Sequence, residues 1–127
     1  MWIQSEEARE MHTAYLAITL VFALMVSYSG IGKIRRDPLQ VRVVHETIGL
    51  PLKYFPLLAA CEFAGAVGLV VGIWWPLIGI AAGIGLVLYF VGAIVSHLRV
   101  GDVKSIGSAA FMLALAAGAL ALRVLTI

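Results

Sequence analysis

The sequence predicts an all-α protein, a four-transmembrane-helix bundle, and three observations carry that expectation. Of its 127 residues, 62% are apolar and only 13% charged. The mean hydropathy of the whole chain is +1.03, far outside ordinary globular usage. Four charge-poor stretches, each long enough to cross roughly 30 Å of hydrocarbon, alternate with polar connections, so residues 1–127 read as a single membrane domain.

The first span covers residues 14–32, AYLAITLVFALMVSYSGIG, which contain no charge. Its N-terminal flank, MWIQSEEARE, sets three acids against Arg9, a poor match to the basic start of a secretory signal peptide, so the flank is expected to be retained. It reads either as a short amphipathic lead-in with Trp2 and Ile3 at the interface or as a frayed terminus. Beyond Lys33, the stretch IRRDPLQVRVVHETIGLPLKYFP is charged and punctuated by proline, and Leu39, Val43, Val44 and Ile48 line one side of a short interfacial helix.

The second span runs from 55 to 73, with Pro56 in a first turn where its missing N–H goes unmissed. WWPL then makes a tight hairpin: Trp74 and Trp75 suit the headgroup level and Pro76 a helix start. The third span is 77–96, followed by the polar run from His97 to Lys104. The fourth, 105–122, is rich in alanine and glycine and suits close packing.

Lys33, Arg35, Arg36, Arg42, Lys53, Arg99 and Lys104 all fall between spans one and two or between three and four. The opposite side carries only Arg9 and Arg123. A multi-pass cell-membrane protein with both termini on the non-cytoplasmic side is therefore expected.

One carboxylate, Glu62, lies inside the second span, about 9 Å in from Pro56. An intramembrane acid is costly and by default marks a functional site that faces the protein interior or a water-filled cavity. In an up-and-down bundle, Tyr28, Ser29 and Lys33 of the first helix, Cys61 and Glu62 of the second, and Tyr89, Ser96 and His97 of the third share its level. The ligand-binding candidates are Glu62, Lys33, Ser29, Tyr28, His97 and Tyr89. Protonated, Glu62 would serve as an acid or proton carrier; ionised, it would anchor a cation or a hydrogen-bonding ligand.

Each of these residues also has a purely structural reading. Glu62 ties helices together by accepting from Ser29, Tyr28 and Lys33. Lys33 is by default a snorkelling topology anchor. His97 complements a helix C-terminus, or exchanges a proton with a ligand. Tyr28 and Tyr89 are ordinary interfacial aromatics, or donors to a quinone carbonyl or to Glu62. Cys61 reads as a small, packed, inert thiol.

Several classes are excluded. No basic patch carries interleaved aromatics, so nucleic acid is not a partner. The single cysteine forms neither an intrachain disulfide nor a thiolate cluster. His45 and His97 lack metal-ligand spacing, and no haem or flavin motif is present. No catalytic residue and no metal ligand are assigned. Gly65, Gly68, Gly72, Gly79, Gly83 and Gly92, with Gly85, are read as packing surfaces.

SGIGK at 29–33, GLP at 49–51, CEFAGAVGLVVG at 61–72 and AIVSHLRVGD at 93–102 together resemble the DoxX-like family of small four-helix membrane proteins, from about Tyr15 onward. The matching positions are Ser29, Gly30, Lys33, Glu62, Gly65, Gly72 and His97. The founding relative of that family is the small membrane subunit of a thiosulfate to quinone oxidoreductase, and other members are linked to redox-stress complexes. The resemblance implies a lipid-embedded protein that binds a quinone or small amphipathic ligand around Glu62 and supports membrane redox subunits. Two other readings stay open: a noncatalytic scaffold that packs its glycine-rich faces against another copy or membrane partner, and a small transporter acting as an oligomer.

Overall fold

The computed structural model describes residues 5–127. Four long helices make up the fold: α1 (Glu6–Arg35), α2 (Phe55–Val71), α3 (Pro76–Arg99) and α4 (Val103–Leu125). All four, the second counted from Leu52, are long and apolar enough to cross a membrane. They run up and down, each packed on its neighbours in sequence, and α1 closes the ring against α4. This is a multi-pass, bilayer-embedded four-helix bundle.

Helix α1 starts eight residues before the expected position. Ser5 caps it, its hydroxyl accepting from the Ala8 N–H at 3.0 Å, and Glu6 and Glu7 sit in the first turn where the helix dipole favours acids. At 30 residues it is about 45 Å long, so its first turns project beyond the hydrocarbon. Trp2 and Ile3 lie outside the described residues. Helix α2 ends at Val71 rather than at 73, while α3 and α4 each extend a turn or less beyond the expected ends.

The connection from α1 to α2 is helical but does not make one straight interfacial rod. Arg36 adopts the left-handed conformation (φ 53°) and turns the chain back on α1, with the Asp37 N–H bonded to the Gly32 carbonyl at 2.9 Å. A short turn, Pro38–Gln40, leads into a widened π-helical stretch, Val41–Thr47, and a 3₁₀ turn, Leu52–Tyr54, leads into α2. The apolar stripe of Leu39, Val43, Val44 and Ile48 borders a cavity inside the bundle mouth.

The core is apolar: Phe22, Val26, Ala66, Leu69, Leu86, Phe90 and Ala116 form one buried cluster at mid-bundle, with the Phe22 and Phe90 rings 6.0 Å apart and tilted by 53°. The outer surface is equally apolar. Leu24, Val67, Leu77, Leu88 and Phe111 are more than half exposed, as they must be when the solvent is lipid. Trp74 and Trp75 are exposed at the α2–α3 hairpin.

Small residues set the helix spacing. Gly72 and Gly79 meet backbone to backbone: a methyl added at Gly72 would lie 2.6 Å from the Gly79 amide nitrogen. Gly65 and Gly68 admit Leu86 and Ala82 of α3, and Gly83 admits Leu120 of α4. Gly92 departs from the expectation. Among the described residues nothing within 4 Å faces it, and neither does anything face Gly85; instead Gly92 borders the cavity.

Candidate functional site

The sequence places Glu62 and Lys33 on different helices, and an antiparallel pairing of α1 with α2 brings them together. Gly30 allows that approach, because its missing side chain leaves room for the Phe63 ring, which an added methyl would meet at 3.0 Å. Lys33 Nζ then lies 2.8 Å from Glu62 Oε1. Lys33 turns inward and is only 6% exposed, so the snorkelling default does not describe it. Glu62 is fully buried.

Tyr89 of α3 completes the cluster, its hydroxyl donating to Glu62 Oε1 at 3.0 Å. Ser29 is present in a different role from the one expected. Its oxygen accepts from Lys33 Nζ at 2.9 Å, one turn along α1, and from Gln40 Nε2 at 3.4 Å. Tyr28 is 77% exposed and stands at the rim, outside the Glu62 hydrogen bonds. Cys61 corrects a further expectation. It is exposed on the outer face rather than packed inside, because consecutive helical residues point about 100° apart and Glu62 takes the inward direction.

Above the cluster opens a cavity of about 680 Å³. Glu62, Lys33 and Tyr89 line it with polar groups, and Phe90 with Leu39 and Val43 of the connection line it with apolar ones. Helix α4 also lines it, with Lys104, Ser105 and Ser108 as polar groups and Met112 as an apolar one. Sequence reasoning assigned none of these α4 residues to the site. Serines one turn apart at a helix start carry no signal beyond ordinary capping. Gln40 was also missed, and only its place beside the left-handed turn at Arg36 brings it to Ser29.

His97 borders the same cavity but does not join the Glu62 cluster: its Nδ1 faces Asp102 Oδ2 at 3.0 Å. The partner is set by the α3–α4 turn, where Gly101 (φ 70°) takes a left-handed conformation and the Asp102 N–H bonds to the His97 carbonyl at 2.9 Å. A hydrogen bond from the Ser105 side chain, then the contact with His97, hold the Asp102 carboxyl below the usual carboxylate range. A depressed folded value means that this carboxylate supports the turn above its unfolded value, near pH 4, and that the support is lost as pH falls through the folded value. Amide protection in residues 97–105, corrected for the intrinsic pH dependence of exchange, is therefore expected to fall on acidification, and Asp102→Asn to remove that pH-dependent step. His45 lies elsewhere, its Nδ1 2.8 Å from the Leu50 carbonyl within the connection.

The decisive detail is the second carboxylate oxygen. Glu62 Oε2 is buried and has no hydrogen-bond partner among the described residues. An unsatisfied buried acceptor costs about 1–3 kcal/mol, and more when charged. At the other end of the bundle Arg123 is also buried, its guanidinium 4.7 Å over the Tyr15 ring and at the end of α4, where the helix dipole favours a cation.

A family model described as the DoxX-like family matches residues 17–119. No curated protein and no solved structure matches the chain.

Proposed function

Since the chain belongs to the DoxX-like family of membrane proteins, we propose that it binds a small amphipathic ligand of the quinone type in the Glu62 cavity, in support of a membrane redox complex. One observation supports this reading: a cavity large enough for a substituted ring, lined by the three hydrogen-bonded polar residues Glu62, Lys33 and Tyr89. The polar headgroup lies against Glu62, Lys33 and Tyr89, and an apolar substituent lies between Leu39, Val43 and Met112. Lys33 is the electrostatic partner of Glu62, Ser29 and Gln40 orient Lys33, and His97 serves as a proton donor at the cavity edge. The redox partnership rests on the family alone.

Seven basic residues at the cavity end, in the connection from α1 to α2 and in the helix ends beside the two turns, support an orientation with that end on the cytoplasmic side of the cell membrane and both termini opposite. Native mass spectrometry of the protein released from lipid tests the ligand reading. Wild type is expected to carry a copurified small molecule that Glu62→Gln loses. An empty wild type with both proteins equally folded overturns it.

The alternative of a noncatalytic scaffold draws on different residues from those expected. Gly65, Gly68, Gly72, Gly79 and Gly83 are consumed inside the chain, but Gly85, Gly107 and Gly118 face open space and leave flat surfaces for a second copy or another membrane helix. The same mass spectra decide between the readings: a stable dimer without a ligand favours the scaffold.

A further inference from the structure

The charges around the cavity narrow the ligand class, an inference that rests on the Glu62-cavity reading above. The carboxylates of Glu62 and Asp102 are both committed within the protein. Glu62 Oε1 accepts from Lys33 at 2.8 Å and from Tyr89 at 3.0 Å, and Oε2 is sealed. Asp102 Oδ2 faces His97 Nδ1 at 3.0 Å, and its carboxyl also takes a hydrogen bond from Ser105. The donors are less fully used. Lys33 keeps a third N–H beyond those to Glu62 and Ser29. Lys104 lines the cavity and has no carboxylate within salt-bridge distance among the described residues.

His97 adds a group whose charge can change, since histidine is the side chain that titrates between about pH 5 and 8. Its Nε2 makes no hydrogen bond among the described residues and, unlike Glu62 Oε2, is not sealed. The ring borders the cavity, so Nε2 is the nitrogen left for a ligand. The charged and titratable groups around it are Lys33 from α1, Glu62 from α2, Tyr89 from α3, Asp102 from the turn and Lys104 from α4; the connection lines the cavity with uncharged side chains. With His97 neutral, the two lysines balance the two carboxylates. With His97 protonated, one positive charge is left over, and an oxyanion in the cavity neutralises it where screening is poor.

We propose that the cavity takes rings bearing an acidic oxygen, of the hydroxyquinone kind, and binds them as the oxyanion together with one proton held at His97 Nε2. The proton lost by the ligand balances the one gained by the imidazole, and the bound state is a charge-assisted contact between imidazolium and oxyanion. Anion and proton then strengthen each other's binding by the same factor. A neutral ring of the same skeleton gains nothing from the proton.

The experiment uses the full chain in lipid nanodiscs with two probes of one skeleton: 2-hydroxy-1,4-naphthoquinone, whose enolic O–H ionises as readily as a carboxylic acid, and its neutral 2-methoxy ether. Empty nanodiscs at each pH correct for partitioning. Wild type is expected to lose about tenfold or more in affinity for the hydroxy probe between about pH 5 and 8, and to hold the ether without pH dependence. His97→Gln is expected to flatten the hydroxy-probe profile. A flat wild-type profile, or binding of the ether alone, overturns the inference while leaving the cavity a ligand site. Binding of neither probe removes both proposals together. Should His97→Gln fail to fold, nuclear magnetic resonance of the wild-type imidazole replaces it. At a pH where the unliganded ring is neutral, the hydroxy probe is expected to move the His97 signals to their acid position and the ether to leave them in place. A bound hydroxy probe that leaves them in place overturns the proposal.

Discussion

Lys33→Met is expected to destabilise the bundle by about 3–5 kcal/mol, the usual cost of leaving one member of a buried ion pair uncompensated. Glu62 would keep its full burial and the Tyr89 hydrogen bond but lose the only cation within salt-bridge distance among the described residues. Unfolding in mixed micelles, followed by circular dichroism, measures the loss. The double variant Lys33→Met/Glu62→Leu is expected to recover most of it, because an apolar pair of similar volume removes the desolvation cost along with the attraction. A double variant as unstable as the single one would show that the pair contributes through packing rather than charge. The recovered protein is also expected to be folded and ligand-free, which separates the role of the cluster in binding from its role in stability.

Gly72→Ala is expected to cost about 3 kcal/mol, the upper end of the range for an overpacked contact. The added methyl would stand 2.6 Å from the Gly79 nitrogen and 3.0 Å from the Gly68 carbonyl oxygen, all backbone atoms in regular helix. No side chain can swing aside, so α2 and α3 must separate along their shared seam. Gly85→Ala on the same helix pair supplies the control. Its site is open, and removing a mid-helix glycine there is expected to stabilise by about 0.5–1 kcal/mol. Equal behaviour of the two variants in the same unfolding assay would remove the account of the seam.

The four helices were legible because hydropathy and length suffice to read a spanning segment, and Pro56 and Pro76 marked two helix starts. Glu62 was legible for a related reason: a charge at that depth stands out against its neighbours. What could not be read was direction. Adjacent residues such as Cys61 and Glu62 leave the helix on different sides, and with apolar residues on every face no polar stripe shows which side is inward. The direction of Lys33 was undecided for the same reason, since a long side chain near a helix end reaches water or protein equally well. The stripe of Leu39, Val43, Val44 and Ile48 stood out as apolar, but an apolar stripe does not say whether it meets lipid or the mouth of a cavity. Asp102, five residues after His97, came into reach only through the left-handed turn at Gly101, a geometry that sequence spacing does not encode.

The mid-bundle cluster of Phe22, Val26, Leu69, Leu86, Phe90 and Ala116 separates the Glu62 end from the Arg123 end. In one chain it acts as an insulating plug: an ion entering at the carboxylate meets stacked hydrocarbon before the guanidinium. Any solute crossing from leaflet to leaflet would have to travel along a seam between chains, so a liposome flux that persists at dilutions where the protein is monomeric would be at odds with this architecture.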